Sequence, residues 1–247
     1  MRFLDATQVI LGSAAATRVY CGAARVYPPL TQAAVTVVAF GTNGAESTNT
    51  LVHNLTVPAL QDGDVMVVSD SLASTATVTP SAMFADNYKL PVSSRSGLGH
   101  HAWVRPMLAS EAGAVVNFAT SATLKTALQF VVLRGLSASP LDSSTPAPAN
   151  GPTAQAFSAP AVTPAAGKIA LQLIATTTGS SAPPALYTPP TGLTLLASNG
   201  TGGSTGRAGG AIGVSLTPNT SVGNGWATDV LATWSAMTLI LNQAPAA

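Results

Sequence analysis

Charge is what this chain has least of. Ten basic and nine acidic residues are spread through 247 positions, with a formal net charge of +1. An ordinary soluble domain devotes about a quarter of its residues to charge and relies on them for solubility. The scarcity excludes the basic stripe that nucleic-acid binding requires, because neutralising several phosphates takes clustered Lys and Arg. Arg18 and Arg25 come nearest to such a cluster. Cysteine is almost missing as well: Cys21 stands alone, which excludes an internal disulfide and a Cys-based zinc site.

Long apolar runs are also lacking. A mean hydropathy of +0.36 would suit a membrane protein, but a spanning helix needs about 20 mostly apolar residues. Runs such as Ala33–Phe40 and Ala127–Leu133 are broken by Thr, Gln or Arg within a few positions. Near the N-terminus, Asp5, Thr7 and Gln8 interrupt the stretch that a secretion signal would need. No membrane span and no signal peptide are expected.

What fills the chain instead is Ala, Thr, Ser, Gly and Pro. Such a surface, made of hydroxyls and small apolar groups, loses little when water is removed from it. The composition points to a part of an assembly and away from a freely diffusing catalyst.

Helical periodicity is nearly absent, and strand signals recur. Short runs rich in Val, Thr, Leu and Ile, bounded by Gly, Pro, Asn and Ser, mark Ala33–Phe40, Leu51–Val57, Val65–Ser69, Thr75–Thr79, His101–Leu108, Val115–Thr120 and Leu128–Arg134. A second group comprises Ile169–Thr176, Leu193–Ser198, Ala211–Thr217, Ala227–Leu231 and Ser235–Asn242. This spacing predicts an all-β fold, a β-sandwich with jelly-roll or Greek-key connections. At this length folding buries roughly 70–75% of the unfolded surface, so no staple is required.

Arg18-Val19-Tyr20 and Arg25-Val26-Tyr27 repeat one triplet around a four-residue stretch containing Gly22. That pattern predicts a β-hairpin, and Pro28-Pro29 ends it. A lone hairpin is barely stable, so it must dock, either on its own domain or on a neighbouring subunit.

The body also repeats itself. Thr56-Val57-Pro58-Ala59-Leu60, a turn, Val65–Val68 and Thr79-Pro80 return as Ser158-Ala159-Pro160-Ala161-Val162, a turn, Ile169–Gln172 and Thr188-Pro189, roughly a hundred residues later. The resulting expectation is an N-terminal anchoring hairpin over 1–30, a first sandwich half over 31–137, a connector over 138–152 and a second half over 153–247.

Candidate chemistry is sparse. Asp62-Gly63-Asp64 could offer two carboxylates to calcium, but six to eight oxygen ligands are needed and a tight turn explains Asp-Gly. His53, His100 and His101 are the histidines. Adjacent strand residues point to opposite faces, so His100 and His101 do not share a metal, and no metal or cofactor is expected. His101, Trp103 and Arg105 fall on one strand face, either a half-exposed strand or a patch that contacts a host glycan. The loop at 199–207 is a second place for such contact. Trp226 and Trp234, eight positions apart on a strand, would face the same side, one in the core and one marking an interface. No G-x-S-x-G, H-E-x-x-H or phosphate loop is present, and no enzymatic activity is expected.

Taken together, these residues resemble tail-associated structural proteins of double-stranded DNA bacteriophages. The hairpin resembles a tail-protein motif, Val-Tyr-x-Gly-x-x-x-Val-Trp-Pro, here Val19-Tyr20-Cys21-Gly22-Ala23-Ala24-Arg25-Val26-Tyr27-Pro28 with Tyr27 in place of Trp. The body resembles a phage and bacterial β-domain through Val57-Pro58, Gly63-Asp64, Thr79-Pro80, Val104-Arg105 and Arg134-Gly135, then Ala159–Thr163, Pro189–Gly192 and Trp234. Pro80-Ser81-Ala82-Met83 departs from the usual Pro-x-Gly-Trp. The resemblance implies a minor tail or tail-tip protein of the virion, assembled in the host cytoplasm, and does not imply a catalytic residue. Its partners would be other virion proteins and copies of itself, as a trimer or hexamer. Val19, Tyr20, Arg25, Val26 and Tyr27 are the expected attachment residues. Decoration of the capsid and binding of a host-surface glycan are the alternatives.

Overall fold

The structure is a computed structural model that describes residues 20–21, 24–25, 32–44, 46, 48–85, 93–95, 97–178, 182–202, 207–218 and 220–246. It is an all-β sandwich in which every named strand pairing is antiparallel. At the N-terminus β1 (Tyr20–Cys21) pairs with β2 (Ala24–Arg25). The connection between them is shorter than the four residues expected, since Cys21 already pairs with Ala24.

The first half of the body contains β3 (Thr36–Thr42), β4 (Thr50–Thr56), β5 (Val65–Leu72), β6 (Val78–Pro80), the short helix α1 (Ala82–Ala85), β7 (Ser93–Arg95), β8 (Leu98–Pro106), β9 (Val115–Leu124) and β10 (Thr126–Arg134). The second contains β11 (Leu136–Leu141), β12 (Ala149–Ser158), β13 (Lys168–Thr177), β14 (Tyr187–Thr188), β15 (Thr194–Gly200), β16 (Ala208–Ser215) and β17 (Gly225–Gln243). One large sheet runs β3-β10-β5-β8-β7 and the other β11-β17-β13-β16-β15. A small sheet, β4-β9-β6, covers the outer face of the first. β12 and β14 pair with the leading part of β17 and cover the outer face of the second.

Three apolar cores result. The central one joins the two large sheets, with Val65, Val67, Val131 and Leu133 facing Ile169, Leu171, Leu239 and Leu241. The first outer core holds Met66, Val68, Trp103 and Phe118; the second holds Phe157, Ile174, Tyr187 and Trp226. A strand between two cores has no solvent face, and β5 is accordingly buried at every residue.

The expected connector differs from what is found. Leu136–Leu141 and Ala149–Ser158 are strands of the second half, and the chain passes from one large sheet to the other at Gly135. Its φ of +88° is a left-handed conformation, one that glycine adopts without cost. A Cβ there would collide with the carbonyl oxygen of Ala34. Pro140 and Pro152 misled the sequence reading, because proline is tolerated on strands that leave one side unpaired.

Candidate functional site

Titratable groups converge in one place, the end of the first outer core. In β5 the odd positions from Val65 to Ser71 face the central core, and the even positions from Met66 to Leu72 face outward. Asp70 is therefore directed into the outer core, where it is fully buried. His101, its neighbour on β8, enters from the same face, with Nδ1 3.7 Å from Asp70 Oδ2. That separation is too long for a hydrogen bond. Burial pushes the Asp70 carboxyl above its usual range, while His101 and His53 pull it down.

The small sheet supplies the facing group. His53 on β4 places Nδ1 2.8 Å from both oxygens of Glu46. The Glu46 carboxylate also accepts the Thr126 backbone N–H at 2.8 Å and the Asn43 amide at 2.9 Å. Lys125, buried where β9 passes into β10, donates to the Gly202 carbonyl at 2.6 Å. Gly202 N–H in turn donates to the Glu46 carbonyl at 2.7 Å. The loop expected as a glycan contact is thus tied, at Asn199 and Gly202, onto the first half; Asn199 also donates to Asn43 Oδ1. Residues 203–206 lie outside the described ones.

Burial overturns the glycan-contact reading for His101 and Trp103. The small sheet covers that face, leaving His101 3% and Trp103 0% exposed. Trp103 packs on Phe118 and stacks with His101. Arg105, at the rim, pairs with Glu111 at 2.6 Å. A side chain enclosed in a core cannot meet a sugar.

His100 faces the opposite way, as strand alternation requires. It sits in the central interface with Nε2 3.2 Å from Ser69 Oγ and Nδ1 3.0 Å from Ser235 Oγ. Burial, and then the neighbouring His101, push its pKa down to about 3. Asp62-Gly63-Asp64 is the turn expected, with Gly63 at φ +84°. Arg134 grips Asp64 through two bonds of 2.8 Å. Burial pushes Asp64 up, but Arg134 and the Gln61 N–H outweigh it and hold the carboxyl low. Trp226 and Trp234 both serve the second outer core: Trp226 is buried, and Trp234 stacks on Phe157 at 5.2 Å.

Among the described residues, no group of three or more His, Cys, Asp or Glu is arranged to hold a metal ion. A cleft of about 260 Å³ lies between β3 and β15–β16, bounded by Val37, Leu196, Val214 and Leu216. None of its lining residues is titratable. Of the expected attachment residues, Tyr20 and Arg25 pair across β1 and β2, whereas Val19, Val26 and Tyr27 lie outside the described residues.

Asp70 and Glu46 were missed by sequence reasoning. The signal for Asp70 was an acid at the end of an apolar strand, Val65-Met66-Val67-Val68-Ser69-Asp70. No helix of the described residues is long and apolar enough to cross a membrane. A comparison with known protein families, curated proteins and solved structures finds no match to this chain.

Proposed function

We propose that this chain is a structural component of a tailed-bacteriophage virion, a minor tail or tail-tip protein attached through its N-terminal hairpin. The observation that carries the reading is the fate of the charges among the described residues. Glu46 is spent on His53, Asp64 on Arg134, Glu111 on Arg105 and Asp142 on Lys168. Lys125 caps a carbonyl, Asp62 accepts the Ala109 N–H, and Asp229 accepts the N–H groups of Ala185 and Leu186. Asp70 faces His101, and Arg207 also has a partner.

The outward faces are formed mostly by neutral side chains, with Asp229 the exposed acid on the leading part of β17. β4 and β9 expose Val52, Asn54, Thr56, Val115, Asn117 and Ala119. The opposite face exposes Thr153, Gln155, Thr188 and Leu231. Packing such surfaces against neighbours removes apolar area at about 25 cal/mol per Å², without stripping water from unpaired charge. In this reading the chain performs no catalysis; its work is geometric, in closed assemblies of its own copies and other virion proteins.

Deleting residues 1–30 tests the attachment. The truncated chain should fold, because the cores begin at Val35, and should no longer join particles. Normal incorporation of the truncated chain would contradict the role given to the hairpin.

A further inference from the structure

We infer that the chain is a fused two-fold dimer: two copies of one sandwich unit, joined at Gly135 and packed through equivalent faces. The inference is independent of the virion reading. Its first ground is topology. Replacing β3, β10, β5, β8 and β7 by β11, β17, β13, β16 and β15 converts one large sheet into the other, strand for strand. The covering layers correspond too, β4-β9-β6 to β12, the leading part of β17, and β14.

The second ground is register. Val67 pairs with Val104 on one side and Val131 on the other. Leu171 pairs with Val214 and Leu239 in the same way. Ser69 with Ala102 and Gln129 likewise matches Leu173 with Ile212 and Met237. One alignment of the two halves therefore reproduces the pairing of three adjacent strands without a slip.

The third ground is reciprocity, the mark of an isologous interface. β5 packs on β13, its own equivalent. β5 packs on β16 and β8 on β13; β10 packs on β16 and β17 on β8; β10 packs on β15 and β17 on β7. Each of these contacts returns when the two halves are exchanged. β3 on β15, β11 on β8 and β12 on β7 depart from the rule.

The halves have since specialised. Under this alignment Trp103 corresponds to Gly213. In the covering layers, Leu55 paired with Val116 corresponds to Phe157 paired with Trp226, so Val116 corresponds to Trp226. A Cβ on Gly213 would come 3.0 Å from the Trp226 ring. Each outer core thus holds one buried tryptophan (Trp103 or Trp226), entered from the large sheet in the first half and from the covering layer in the second. At the interface, His100 corresponds to Gly210, whose missing side chain accommodates Gln129. These differences fit one half's central face to the other's and disfavour pairing of that face with a further copy, while the outward faces stay available for assembly.

The test starts from the full chain, with a protease site inserted between Ser143 and Ser144, both exposed in the loop after β11. The first fragment then carries the first unit plus β11, whose pairing with β17 crosses the cut. After cleavage of the folded protein, the two fragments should elute together at the intact mass. Separated in denaturant and mixed again, they should re-form a one-to-one complex with the native near-ultraviolet spectrum. Fragments that fall apart on cleavage, or that do not re-form the complex, would overturn the inference. A second variant leaves the chain intact: Trp226→Val with Gly213→Trp installs the first half's arrangement in the second. Each change alone should lower the denaturation midpoint, and the pair should recover at least half of the combined loss. Strictly additive losses would overturn the correspondence.

Discussion

His100 Nδ1 lies 3.0 Å from Ser235 Oγ, joining two strands 135 positions apart across the central interface. The bond holds an imidazole that burial, and secondarily His101, keep neutral, with its pKa pushed down to about 3. An unfolded chain takes up this proton near 6.5. The stabilising contribution is therefore complete above that pH and is lost as the pH falls toward 3. His100→Gln should flatten the stability–pH curve between these limits. Urea denaturation midpoints at a series of pH values measure it, and an unchanged slope would contradict the assignment.

Asp70 acts with the opposite sign. Burial raises its carboxyl above the usual 3.8, against the pull of His101. The unfolded chain releases this proton first, so the acid costs stability as the pH rises above 3.8, fully so above its raised value. Asp70→Asn should be more stable than the native chain at pH 7, with the difference closing toward pH 3.8. A variant less stable at both pH values would contradict the account.

The crossover at Gly135 combines a left-handed backbone with a carbonyl packed against its Cα. Gly135→Ala should cost about 1–3 kcal/mol, the range for a side chain forced into such a conformation. Thermal unfolding would show it, and a neutral result would mean that the backbone at this point relaxes freely.

Asp142 makes a smaller contribution of ordinary sign. Lys168 at 2.6 Å and the Ser144 hydroxyl hold its carboxyl down to about 2. Stability from this pair is present above 3.8 and is lost as the pH falls toward 2. Asp142→Asn should remove that acid-limb loss, which a stability titration below pH 4 would detect.

The strands were legible because their apolar runs are real, but their surroundings were not. Val65–Leu72 alternates weakly, since both of its faces are covered and neither has to be polar. His101, Trp103 and Arg105 share a face as alternation requires. Nothing local says that a second sheet lies over them, because β4, β6 and β9 pair with one another and are brought over β8 only by the fold. The breaks also misled: Ala227–Leu231 and Ser235–Asn242 are one strand, β17, which serves the covering layer and then the large sheet. The Pro-rich segment around Pro140 and Pro152 reads locally as a linker, and it is tertiary pairing with β17 that makes it strand. Glu46 was hidden for the same reason, since its partners His53, Thr126 and Asn43 are gathered by the fold.

The virion reading is tested most directly by electron microscopy of purified phage particles labelled with an antibody against residues 31–247. The account predicts label at the tail or its tip. Label spread over the head would replace the tail assignment with capsid decoration. Particles that carry no label, while the chain accumulates free in the host, would contradict a structural role in the virion.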